Sequence, residues 1–261
     1  MNRPRPSNCW SVAWLPAVFV ASVACGQESQ SDSKYAVHDM TRPQPPVVDP
    51  GNPSTQPHAG TAPSDAVVLF DGRDLSQWRT EGGDAGWKVV DGVIETVPHR
   101  GDLISRQSFG DCQLHVEWMV PKGLRPKHPA GANSGVYLMQ QYEIQVLRRE
   151  DKPTYTDGMA GAIYGQHPPL VAADLPKGEW NTYDILFTAP RFNDDGSVKT
   201  PAYCTVIFNG VVVQNHAEIR GRTAVGDPPT YEKHPERMPI SIQDHGDAIR
   251  FRNIWVRPLG E

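Results

Sequence analysis

The 261-residue sequence is most informative at first through what it lacks. No stretch keeps apolar residues at a 3.6-residue period over three turns, which argues against a domain built from helices. No cluster of Cys and His has the spacing of a zinc site. Positive charge forms no stripe: the formal net charge is −5 with Lys and Arg scattered, so nucleic acid is excluded as a partner. Cysteines number four. Cys9 and Cys25 stand near the N-terminus, while Cys112 and Cys204 each fall within a strand-like run, where a disulfide and two buried thiols are equally open. The apolar run from Trp14 to Ala24 is too short to span a bilayer as a mature helix.

What is present at the N-terminus reads as an export signal. Arg3 and Arg5 precede that short apolar run, and residues 1–24 are predicted to be a cleaved leader. Ser22-Val23-Ala24 before Cys25 fits a lipoprotein site with Cys25 as the lipidated residue, although Ser22 stands where such sites usually carry Leu. The same triplet satisfies the small-x-small rule of ordinary secretion. The lipoprotein form is the expectation, with the mature protein in the periplasm or cell envelope and touching membrane only through a lipid anchor. Residues 25–64 carry many prolines among Ser, Gln, Thr and Asp and few apolar residues, so a disordered tether is expected there.

Residues 65–261 suffice for one domain with a sizeable core, and they read as β throughout. "WKVVDGVIETV" and "CTVIFNGVVVQN" place Asp91-Gly92 and Asn209-Gly210 between apolar runs, a hairpin signal because both turn positions need positive φ. "CQLHVEWMV" alternates Leu114, Val116 and Trp118 with His115 and Glu117. Many short strands separated by turns predict a jelly-roll sandwich of two antiparallel sheets. Trp118 and Trp255 are expected in its core. Three long irregular loops, 121–133, 148–179 and 216–239, are expected to wall a binding cleft.

In "YEIQVL", a strand places Tyr142, Ile144 and Val146 on one face and Glu143 with Gln145 on the other. A carboxylate beside an amide suits a polyol ligand; the plainer alternative is the solvated side of the sheet. Asn133 precedes that strand pair. Tyr164, between glycines in "GAIYGQ", is a ligand-contact candidate. Gln243, Asp244 and His245 precede Gly246 in "QDHG", where an imidazole beside a carboxylate suits proton transfer; a turn capped by Asp244 explains the same residues without chemistry. Arg252 either is solvated or meets Glu143 across the sheet. The acid-x-acid-x-x-acid pattern of retaining jelly-roll glycosidases is absent: only Glu143 is acidic in the run from Glu143 to Arg148.

"LFDGRDLSQW", "GDLISRQSFGDCQLHVEW", "NSGVYLMQQYEIQVL", "GAIYGQHPP", "GEWNTYDILFTAPRF", "TVIFNGVVVQ" and "QDHGDAIRFRNIWVRPL" together resemble the 3-keto-disaccharide hydrolase family, from Val68 to Leu259. The resemblance implies a concanavalin A-like jelly roll and a glycoside already oxidised at C3 as substrate. A C3 ketone acidifies the C2 proton, so one base followed by loss of the C1 group suffices, and no glycosidase carboxylate pair is needed. Carried over, Glu143 and His245 are the expected acid/base pair and Asp244 positions His245. Gln145, Asn133, Tyr164, Gln243 and Arg252 would contact the sugar or its enolate oxygen. A divalent metal ion held by the carboxylate and imidazole is an alternative stabiliser. The competing readings are a non-catalytic carbohydrate-binding module of the cell envelope and a structural domain with a protein partner, because this sandwich hosts lectins and enzymes alike.

Overall fold

Both expected hairpin turns form. Asp91 and Gly92 have φ of 52° and 74°, and Asn209 and Gly210 of 51° and 80°, the two-residue turn that matches strand twist. The computed structural model describes residues 40–41, 44–127, 131–149 and 154–260. The predicted leader, Cys25 and the tether as far as residue 39 lie outside the described residues. The chain divides at Pro46, and the second unit, Val47–Glu261, carries every strand discussed here.

In chain order the strands are β1 (Val67–Phe70), β2 (Trp78–Thr80), β3 (Gly83–Asp84), β4 (Lys88–Val90), β5 (Val93–Glu95), β6 (Leu103–Phe109), β7 (Cys112–Met119) and β8 (Gly131–Leu138). They continue as β9 (Tyr142–Arg149), β10 (Asn181–Thr188), β11 (Arg191–Phe192), β12 (Val198–Thr200), β13 (Ala202–Phe208), β14 (Val211–Ile219), β15 (Met238–Ile242) and β16 (Arg250–Pro258). One large sheet runs β14-β13-β10-β7-β16-β5-β4, with β1 also on β16; the other large sheet runs β3-β2-β6-β15-β8-β9, and β11 and β12 form a separate two-stranded sheet. The neighbours within each sheet are antiparallel. This is the jelly-roll sandwich that the alternating patterns predict.

Between the sheets pack Leu114, Val116, Trp118, Tyr183, Ile185, Phe187, Val206, Phe208 and Phe251 from one side, and Trp78, Leu103, Val136, Tyr142, Ile144, Val146 and Ile242 from the other. Each such large side chain contributes roughly 1.5–3 kcal/mol by leaving water. Cys112 and Cys204 are both free and buried, and burial pushes both thiols up to about 12. They stand opposite Phe187 on its two sides. Two strand spacings, roughly 10 Å, therefore part them, beyond disulfide reach.

Trp255 departs from expectation. Arg252 pairs with Glu117 but Trp255 with His115, three residues against two, because a bulge with Asn253 at φ 46° intervenes. The bulge turns Trp255 to the outer face, where it is still buried and stacks on His115 with ring centroids 4.9 Å apart.

The expectation of a disordered tether also ends early, since the second unit starts at Val47. Residues 49–64 close on themselves through Thr61 N–H to Asn52 O and Ser64 N–H to Asp49 O. This strap lies over the outer face of the eight-stranded sheet. The Gln56 amide donates to Trp180 O and accepts from Trp180 N–H, like one more strand residue. Arg252 donates to the carbonyls of Thr55 and Gln56. The order comes from these hydrogen bonds rather than from apolar burial, which is why composition did not forecast it.

Candidate functional site

Strand β9 enters the core with Tyr142, Ile144 and Val146, so Glu143 and Gln145 take the opposite face, as their period-two spacing requires. The antiparallel registers line up Glu143, Tyr137, Ser241, Ile104 and Arg79 as one row across the six-stranded sheet. Gly135 stands opposite Gln145 in the next row. A Cβ on Gly135 would fall well inside contact with Glu143 Oε1, so this glycine makes the space in which the carboxyl lies.

Glu143 is 3% exposed and accepts a 2.8 Å hydrogen bond from the Tyr137 hydroxyl at Oε2. Burial raises its carboxyl to about 7; the Tyr137 bond opposes the rise and the nearby Asp102 charge adds to it. Tyr137 itself is raised well above the ordinary phenol value by burial and by Glu143, so it stays a donor. Its oxygen in turn accepts from Gln243 Nε2 at 3.4 Å. Gln243, Tyr137 and Glu143 thus form one directed chain ending on the carboxyl.

Two buried amide oxygens on the same sheet face, Asn133 Oδ1 and Gln145 Oε1, have no hydrogen-bond partner. Both occupy the Glu143 face of β8 and β9, and such groups are costly unless a ligand or water satisfies them. The Asn133 backbone is fixed by Asp247, whose carboxylate accepts from Asn133 N–H and Lys127 N–H. Asp247 is buried and escaped the sequence reading, because its partners lie more than a hundred positions away.

The "QDHG" stretch continues β15. Gln243 N–H donates to Gly135 O, extending the ladder. Asp244 caps backbone amides: its carboxylate accepts from Arg100, Gly101 and Gly246 N–H. Its own N–H donates to Asp102 Oδ1, and burial, countered by that bond, raises Asp102. His245 follows, exposed to solvent. The capping role foreseen as the plainer alternative for Asp244 is therefore the one its contacts serve. Asp102, which reaches the site from the start of β6, was not anticipated.

Tyr164 reaches Glu143 through the backbone, its N–H donating to Glu143 O, while its hydroxyl bonds that of Tyr155 at 2.6 Å. Arg252 requires a correction. It lies on β16 of the other sheet and binds Glu117 at 2.6 Å, not Glu143, with its guanidinium 4.2 Å from the Trp180 ring centre. Around it, His115 bridges Asp184 at 2.7 Å and Glu117 at 3.3 Å, and Ser54 of the strap donates to Glu117. Burial works against the charge on both, yet these partners hold Glu117 down at about 2 and lift His115 to about 9. Register allows only one sheet face for Arg252, and it is the far one. Among the described residues no three His, Cys, Asp or Glu side chains gather as metal ligands, and Asp244 is engaged by amides, so the residues do not fit the anticipated ion.

Similarity to known proteins agrees with this fold. A Parabacteroides distasonis crystal structure, provisionally named a glycosyl hydrolase, is 45% identical with a TM-score of 0.80, over 85% of this chain and 97% of that one. Another from the same organism shares 19% identity at a TM-score of 0.53, covering 75% of this chain and 94% of its own, a likeness of fold. A Bacteroides thetaiotaomicron protein named 3-keto-disaccharide hydrolase is 24% identical over 234 residues, 74% of this chain and 78% of its own. The family described as the 3-keto-alpha-glucoside-1,2-lyase-like domain matches residues 65–257, essentially the whole sandwich, and the chain belongs to that family.

Proposed function

We propose that the chain cleaves glycosides oxidised to a ketone at C3, with Glu143 as the general base. The observation that carries this reading is a buried carboxyl held near neutral proton affinity on a sheet face that also carries two unpartnered amide oxygens. The family description, a 1,2-lyase, supports elimination across C1 and C2, and the name of the Bacteroides relative supports net hydrolysis.

In this mechanism Glu143 takes the C2 proton, and the electron pair moves onto the C3 carbonyl oxygen as an enolate. Its return forms the C1–C2 double bond and expels the C1 oxygen with its bonding pair. His245, in the exposed position after the loop pinned by Asp244, protonates the departing oxygen. Addition of water, hydroxyl to C1 and hydrogen to C2, completes net hydrolysis. Asn133 Oδ1 and Gln145 Oε1 accept hydrogen bonds from sugar hydroxyls, and Tyr137 holds the Glu143 carboxyl in place. Export with a lipid on Cys25 completes the reading; labelled fatty acid incorporation that survives Cys25→Ala would remove that part.

The test is a chromogenic 3-keto-glucoside against its unoxidised parent, each with and without EDTA, for the wild type and Glu143→Gln. Release from the keto compound alone, lost in the variant, is expected. A folded Glu143→Gln protein of full activity would exclude Glu143 as the base.

A further inference from the structure

Strand β9, which carries Glu143, ends the six-stranded sheet, and the loop after it folds back along the open edge. Ile163 pairs antiparallel with Ile144, Gln145 N–H donates to Ala162 O, and Tyr164 N–H donates to Glu143 O at 3.1 Å. This register sets Tyr164 opposite Glu143. Antiparallel partners carry their side chains on one face, with Cβ atoms about 5.5 Å apart. In a full ladder the Glu143 amide would bond Tyr164 O, but here it donates to Thr223 Oγ1 at 2.9 Å. Glu143 is therefore flanked in its row by two tyrosines, Tyr137 on β8 and Tyr164 on the edge.

The two phenols are engaged differently. The Tyr137 proton is committed to Glu143 Oε2, and its oxygen accepts from Gln243. Tyr164 instead bonds a second phenol, Tyr155, at 2.6 Å, with the rings edge-on at 72°. Gly158 makes room for that partner, since a Cβ there would fall inside contact with the Tyr155 ring. Either hydroxyl of the pair can donate to the other. With Tyr155 as donor, the Tyr164 proton is left for a third group. Burial raises Tyr164 above the ordinary phenol value, and the Tyr155 bond and the Glu143 charge add to the rise, so the hydroxyl keeps its proton and feels the carboxyl. Both tyrosines line a cavity of about 550 Å³, which lets a ligand reach the pair.

Proton removal at C2 forms the C2–C3 double bond and puts the carbonyl electron pair on the C3 oxygen, where a hydrogen-bond donor lowers the barrier. Asn133 Oδ1 and Gln145 Oε1 are acceptors, and the Tyr137 proton is held by Glu143. C2 and C3 are bonded neighbours, so a donor to the C3 oxygen belongs one side chain away from the base and on the same face. Tyr164 stands there. We propose that Tyr164 is a catalytic residue, its hydroxyl donating to the C3 oxygen as the enolate forms, and that Tyr155 is the positioning residue that aims it. The assignment rests on the reading of Glu143 as the base. The proton stays on Tyr164 throughout. The enolate pair returns to expel the C1 group, and the hydrogen bond weakens as the ketone reforms.

The experiment takes a chromogenic 3-keto-glucoside, unlabelled and deuterated at C2, to the wild type, Tyr164→Phe, Tyr155→Phe and Glu143→Gln. Tyr164→Phe keeps the ring and is expected to lower kcat by about 10²–10³ with KM within about threefold, the pattern of an interaction made in the transition state. Tyr155→Phe, which removes only the aiming bond, should lower kcat about tenfold, again with KM held. The C2 deuterium effect on kcat should be at least as large in both variants as in the wild type, because proton removal is the step they slow. An isotope effect that collapses toward one would put the loss at departure of the C1 group and overturn the assignment. So would a raised KM with unchanged kcat, or a Tyr164→Phe protein of wild-type kcat beside an inactive Glu143→Gln. Full activity of Glu143→Gln, or a wild type inert toward the keto compound, removes the reading of Glu143, and the role of Tyr164 with it.

Discussion

Gly135 lies beneath the carboxyl of Glu143, on the neighbouring strand, and no side chain larger than hydrogen fits between them. Its backbone is not in the left-handed region, so the demand for glycine at this position is one of space alone.

Gly135→Ala should therefore displace the carboxyl without breaking the strand. Activity on a 3-keto-glucoside is expected to fall at least about a hundredfold, as when a catalytic group is misplaced, while the melting temperature moves little. A variant with wild-type turnover would show that the carboxyl need not sit where the structure has it.

Glu143→Gln should separate function from stability. The carboxyl rises from 4.5 to about 7 on folding, so its contribution is fully present below pH 4.5 and is lost as pH climbs through 7. The neutral amide removes that loss. Above pH 8 the variant should be more stable than wild type, by at most about 3 kcal/mol, and near pH 4 the two should match. Turnover should fall by about 10²–10⁴. Urea titrations at the two pH values check the first claim, and equal stability at pH 8 would mean the carboxyl is not buried as described.

Asp102→Asn keeps an oxygen for the Asp244 amide but removes a negative charge that helps to raise Glu143. The acid limb of the kcat/KM profile should move to lower pH, with the plateau held within about tenfold. A limb that stays in place would show that the charge of Asp102 does not reach Glu143.

The strap yields a stability prediction. Arg252→Ala leaves Glu117 buried without its cation and frees the carbonyls of Thr55 and Gln56, a loss of about 3–5 kcal/mol that thermal unfolding will register. Removing residues 47–64 should also destabilise the domain. Glu117 contributes stability that is present above pH 4.5 and lost as pH falls through about 2; His115 contributes below 6.5 and loses it through about 9. Of the two groups only Glu117 touches the strap, through Ser54, so the advantage of the strapped protein should be full above pH 4.5 and fade as pH falls through about 2. A truncated chain of unchanged stability would make the strap an ornament.

Much of this was readable from the residues. Asp91-Gly92 and Asn209-Gly210 named their own turns, because positive φ is a local property. The pairing of Glu143 with Gln145 on one face followed from period two. What stayed hidden depends on register and distance in sequence. Nothing local in Gly135, Tyr137 or Asp102 says that β8 and the start of β6 bring them toward Glu143. Arg252 could be placed on a strand but not on a sheet, and one bulge residue at Asn253 moved Trp255 from the expected interior to the outer face. The strap was illegible for a related reason: its order depends on Arg252, 196 and 197 positions away, not on its own composition.

The strap and Glu143 occupy opposite faces of the sandwich. Val48 and Pro50 line one cavity with Gln113, Asp184 and Trp255 on the outer face of the eight-stranded sheet, whereas Glu143 belongs to the outward face of the opposite sheet. The thickness of the sandwich separates the strap from Glu143, so cutting residues 47–64 away should loosen the fold without opening the Glu143 face.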